Sequence, residues 1–280
     1  MEFSLQESLV RPTKDNKYFE KMIIGGGFYL LALCLYVTNF FANCMNSPSG
    51  HAHNIKEAFI QGQSCTYNTS FGITLNVVSF LLLAIPLGYI AYYVHNYIHG
   101  KDEILPTWKN NIFSFFKKGL MLYFVIAYYY IIILVFVSVV TISFMRLSTT
   151  LNTDPMLRGF FILMIIAGVA HLIFFSLVSY IIGLYAENFR LTQGLKLFTL
   201  IKYVFKAFDK YLICLVFCGF VYSVYMAVNF ILNRTIIAAP VMSFLIMPVA
   251  LSLITPFINV YMIVRQKENI VKDQNTSTTM

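Results

Sequence analysis

Six stretches of this 280-residue chain contain no Asp, Glu, Lys or Arg: about 22–42, 71–94, 119–145, 159–185, 211–232 and 238–264. Each is long enough to cross a hydrocarbon core as a helix, which takes roughly 20 residues. The runs are apolar on every side rather than alternating. They therefore predict helices, which satisfy their own backbone groups in lipid, and not barrel strands. The predicted fold class is all-α: an integral membrane protein with about six transmembrane helices. Residues 1–21 form an N-terminal tail and 265–280 a C-terminal tail expected to be disordered. The first run is longer than the roughly 7–15 apolar residues of a signal peptide, and it is read as a retained helix.

Composition supports the pattern. Charged residues make up 11% of the chain and hydrophobic ones 59%, where a soluble domain carries roughly a quarter charged residues. The twenty basic residues are distributed unevenly. Sixteen fall before the first run, in the second and fourth gaps and after the last run, and four fall in the other three gaps (Lys56, Arg146, Arg158, Arg234). Lys and Arg concentrate in short cytoplasmic loops. This places both termini in the cytoplasm and the chain in the inner (plasma) membrane. The net charge of +8 belongs to the same bias. With no soluble basic domain to read bases, a nucleic-acid partner is not expected.

Few residues offer chemistry. Cys44 and Cys65 share the first outer gap, where either a disulfide or two unlinked thiols fits the oxidising side. His51 and His53 lie between them with Glu57 as the nearby carboxylate, too small a set to predict a metal. His171 is the ionisable residue deep inside a run, and Asn259 is a polar residue near Pro248 and Pro256 in the last run. Such groups are costly in lipid and mark candidate intramembrane polar sites. His95 and His99 share a helix face at the end of the second run and read as interfacial anchors beside several tyrosines. Ion-coupled transport usually needs several Asp, Glu, Lys or Arg near the midplane, and none occurs in the runs. Ser-His-Asp order, His-Glu-x-x-His and phosphate-cradling Gly loops are absent from the sequence, so no catalytic residue, metal or cofactor is expected.

The second and fourth gaps share a design. Each has a polar turn containing Gly (Gly100, Gly194) and becomes basic and aromatic. With an offset of 92, Phe113, Phe116, Lys118 and Leu120 fall on Phe205, Phe208, Lys210 and Leu212. Phenylalanines three apart beside lysines suit amphipathic segments lying on the inner leaflet and joining two repeated helix pairs. Gly25-Gly26-Gly27, at the start of the first run, suits close helix packing.

Gly88-Tyr89, Gly100, Leu105-Pro106-x-Trp108 and Phe116-x-x-Gly119 resemble the prokaryotic multi-pass membrane family called domain of unknown function 4013. Tyr185-Ala186-x-x-Phe189, Ala207-Phe208 and Tyr211 are similar to its second half. The resemblance covers about 75–265 and implies an integral membrane protein without assigning catalytic residues. The combined reading is a non-enzymatic membrane protein with a lipid- or partner-binding role at the cytoplasmic leaflet. Membrane lipids are the expected partners. The alternative is a channel or facilitator for a small or lipid-like molecule, formed around Pro248, Pro256, Asn259 and His171. A membrane-embedded accessory to an enzyme is a third reading.

Overall fold

The computed structural model describes residues 3–45, 70–101, 103–148, 174, 177–232 and 238–278, and every regular element among them is helical. The N-terminal tail is structured. Ser4 caps α1 (Leu5–Val10) by accepting from the Glu7 N–H at 3.2 Å, which satisfies one of the otherwise unpaired amides of a helix start. A 3₁₀ turn at Pro12–Lys14 then leads into α2 (Tyr18–Met45). α3 (Ser70–Ile98) and α4 (Ile112–Ser148) form the first hairpin. The helix α5 covers 177–188. The single turn α6 (Leu191–Gly194) and the short helix α7 (Leu197–Lys206) connect it to α8 (Phe208–Leu232), and α9 (Ala238–Thr278) closes the chain.

Five of the described helices are long and apolar enough to span a membrane: Tyr18–Asn39, Ile73–Ile98, Ile112–Val140, Phe208–Leu232 and Pro240–Lys267. The chain is an all-α, multi-pass membrane protein. Most of the fourth predicted run, 159–185, lies outside the described residues, and α5 holds its last part. Helix ends differ from the sequence reading at several places, two of which change it. Helix α4 begins at Ile112 rather than 119, so Phe113 and Phe116 belong to its first turns and not to a separate leaflet-lying segment. Helix α9 runs on to Thr278 through the expected disordered tail, a stretch with no Gly or Pro after Pro256 to stop it.

Helix α3 sits between α2 and α4, while α9 packs on α2, α8 and α1. The α3–α4 crossing depends on Gly88 and Gly119. A Cβ on Gly88 would collide with the Phe115 carbonyl, and one on Gly119 with the Ala84 carbonyl. The backbones therefore approach as only small residues allow, which is how helices pack where lipid supplies no hydrophobic drive. The core is unusually rich in tyrosine: Tyr89, Tyr93, Tyr180, Tyr185 and Tyr261 are each fully buried. Facing outward on α4 and α8, Ile131, Val135, Phe136, Val216, Phe220 and Phe230 stay exposed, which suits a hydrocarbon solvent.

Candidate functional site at the basic end of the bundle

The loop between α3 and α4 is folded inward. Gly100 and Asn110 take positive φ (61° and 63°) near its two ends, and between them Leu105, Pro106 and Trp108 are buried. The indole of Trp108 stacks on Tyr89 with ring centroids 4.3 Å apart and planes at 7°. Phe115 meets both rings edge-on, at 5.4 Å from Trp108 and 5.5 Å from Tyr89. Gly25 of α2 leaves room for this box, because a Cβ there would press on the Trp108 ring and the Met247 side chain.

The N-terminal segment locks the loop in place. Lys21 Nζ pairs with Asp15 Oδ2 at 3.0 Å, with side chains only 8% and 11% exposed, and donates to the Leu105 carbonyl at 2.5 Å. The Leu105 N–H donates to the same Asp15 oxygen at 3.2 Å, and Trp108 Nε1 donates to the Lys21 carbonyl at 2.9 Å. A buried ammonium and carboxylate are tolerable only when paired and hydrogen-bonded, as here. Burial pushes the Asp15 carboxyl pKa up. The Lys17 N–H, the Lys21 ammonium and the Leu105 N–H outweigh that and hold it below the ordinary value of 3.8.

Helix α1 lies against α9. Asn259 Nδ2 donates to Ser8 Oγ at 2.7 Å, both residues buried, and the Ser8 hydroxyl donates on to the Ser4 carbonyl. The Arg11 guanidinium sits 4.1 Å over the Tyr97 ring of α3. On the same helix α9, Arg265 pairs with Glu187 of α5, whose other oxygen accepts from the Tyr261 hydroxyl at 2.9 Å.

A second group of side chains gathers where α3, α4 and α5 converge. His95 Nδ1 is 2.7 Å from the Ala186 carbonyl, and His99 Nδ1 is 2.9 Å from the His95 carbonyl. The two imidazoles stack with centroids 4.2 Å apart, and Phe189 lies against His95 at 4.7 Å. Lys118 Nζ stands 4.5 Å over the Phe189 ring, while the Lys118 carbonyl accepts from Tyr185. Beyond it, Tyr129 of α4 donates to the Gly194 carbonyl at 2.8 Å and pins α6. Helix α7 follows, with Leu200 and Tyr203 buried and Phe198, Ile201 and Phe205 exposed.

The residues singled out in the sequence divide accordingly. Gly88, Tyr89, Leu105, Pro106, Trp108 and Gly119 converge on one buried cluster, with Phe116 half-buried at its edge and Gly100 at the turn that leads in. The expected leaflet contact of Trp108 is replaced by a protein contact, because the indole finds both a stacking partner and an acceptor inside. Asn259 is positioned by Ser8. His171 and Cys65 lie outside the described residues, as does the environment of Cys44 in the last turn of α2. Among the described residues no group of three or more His, Cys, Asp or Glu could hold a metal. Sequence reasoning missed Ser8, Arg11, Asp15, Lys21, Glu187 and Arg265. For Asp15 a signal existed, since it is one of only 12 acidic residues in the chain.

Fold and site together define a helical multi-pass membrane protein whose loop between α3 and α4 is packed into the bundle. The chain belongs to the family described as protein of unknown function DUF4013, whose model matches residues 71–264, more than two thirds of its length. The match covers the Gly88–Gly119 motif cluster and leaves Asp15 and Lys21, which clamp it, outside. No curated protein and no solved structure matches the chain.

Proposed function

We propose that the protein is a non-enzymatic resident of the inner membrane, with both termini cytoplasmic, that engages anionic lipid at the cytoplasmic leaflet through α7. The observation that carries this reading is the face of α7. Leu200 and Tyr203 anchor the helix to the bundle, while Phe198, Ile201 and Phe205 are 86%, 41% and 72% exposed and stand beside the exposed Lys202 and Lys206. Exposed rings can enter the acyl boundary, and each lysine near an anionic surface contributes about 1 kcal/mol. The facilitator reading gains no support from the described residues, because the Asn259 amide is engaged by Ser8.

The test uses the full chain in nanodiscs of mixed phosphatidylcholine and phosphatidylglycerol. Combined Lys202→Gln and Lys206→Gln substitution is expected to lower the phosphatidylglycerol enrichment around the protein, and Phe198→Ala with Phe205→Ala to make α7 accessible to protease. Unchanged enrichment and unchanged protease resistance would overturn the reading.

A further inference from the structure

We propose that Lys118, His95 and His99 form a site for a phosphate-type oxyanion, the headgroup phosphate of a single anionic lipid, on the aromatic floor made by Phe189. This rests on the lipid-engaging reading above and assigns it a second, more specific contact.

Three independent features carry it. First, both imidazoles are oriented from behind. Each Nδ1 is held to a backbone carbonyl, His95 to Ala186 and His99 to His95, so Nδ1 carries the proton and Nε2 is left for a ligand. Protonation of Nε2 would supply a donor to an oxyanion. Second, the charged groups acting on His95 are His99, Lys101 and Lys118, all basic. The acid close to it in the fold, Glu187, is committed to Arg265 and Tyr261. Among the described residues no acid pairs with Lys118, whose ammonium rests on the Phe189 ring instead. A cationic group without an internal counter-ion at the mouth of a helical bundle is the footprint of an anion.

Third, Phe189 is held at φ +52°, a conformation strained for a bulky residue. Packing against Tyr92 at 4.8 Å, Tyr185 at 5.8 Å and His95 at 4.7 Å maintains it there. That packing keeps one ring under both Lys118 and His95. It gives the cations an apolar backing that strengthens a charge-assisted hydrogen bond.

Native mass spectrometry of the full chain released from phosphatidylglycerol or phosphatidylcholine nanodiscs tests the site. Wild type is expected to retain one phosphatidylglycerol. Lys118→Gln with His99→Gln is expected to weaken that retention roughly tenfold or more, and Lys118→Arg to preserve it. Lys202→Gln with Lys206→Gln is expected to leave the tightly bound lipid in place. An unshifted Trp108 emission spectrum reports that each variant is folded. Stabilisation by inorganic phosphate in phosphatidylcholine nanodiscs, lost in Lys118→Gln with His99→Gln, would support the same oxyanion site filled from free phosphate. Retention unaffected by Lys118→Gln with His99→Gln but abolished by Lys202→Gln with Lys206→Gln overturns this site and leaves the α7 reading standing. Equal retention of both lipids by wild type, with no response to phosphate, overturns both.

Discussion

Trp108 Nε1 donates to the Lys21 carbonyl at 2.9 Å across 87 residues of sequence, tying the loop after α3 to the start of α2. The bond and the Tyr89 stack can be separated. Trp108→Phe keeps an aromatic ring in the box and loses the donor, for an expected cost of about 1 kcal/mol. Trp108→Ala empties the box, for about 3–5 kcal/mol. Thermal unfolding in one detergent, compared between the two, checks the order. Equal costs would mean that the box contributes little beyond its hydrogen bond.

The Asp15–Lys21 pair bears on the same loop. Removing one partner strands the other in a site about one-tenth exposed, so Lys21→Met is expected to cost about 3–5 kcal/mol. Lys21→Met combined with Asp15→Asn should cost clearly less than the two changes summed, because no bare charge remains. The pH dependence follows from the lowered Asp15 carboxyl. Its stabilisation is complete above the ordinary value of 3.8 and is lost as the pH falls through the lower folded-state value. Trp108 emission followed down in pH should shift red in that window, and Asp15→Asn should remove this transition.

Charge-free runs made the membrane helices legible, since each span tests its own sequence against lipid and needs no distant partner. The inward fold of the Leu105–Trp108 segment was not. A tryptophan beside lysines at a span end most often marks an interface, and nothing local says that Asp15 and Lys21 supply the polar groups that let it enter the bundle. Asn259 shows the same limit. It stood out in its run, but Ser8 is 251 residues away, and a pairing at that separation leaves no periodicity to read. Gly88 and Gly119 were visible as a motif, while the backbone contact between them was not.

That contact predicts a steep position effect. Gly88→Ala and Gly119→Ala each drive a methyl group into a facing carbonyl. Each is expected to cost about 3 kcal/mol or more, at or above the usual range for overpacking. Gly27→Ala, where an added Cβ meets nothing within 4 Å, should be neutral or slightly stabilising. Yield of monodisperse protein after detergent extraction separates the three, and a tolerated Gly88→Ala would contradict the close crossing.

Docking of α1 is testable through Ser8 and Asn259. A double-mutant cycle with Ser8→Ala and Asn259→Ala should return a coupling of about 1 kcal/mol, as a buried neutral hydrogen bond does. Proteolysis within residues 3–17 should speed up in each single variant. Additive effects would place α1 off the bundle.

The segment from Leu105 to Trp108 is clamped inside the protein by α2 rather than resting in the leaflet. Quenching of the sole tryptophan in bilayers tests it most directly, using aqueous acrylamide and lipids brominated near the headgroup. Trp108, 5% exposed, is expected to resist both quenchers in the wild-type chain and to become accessible in Lys21→Met. Strong quenching of the wild type by the brominated lipid would contradict the clamp and return the loop to the membrane surface.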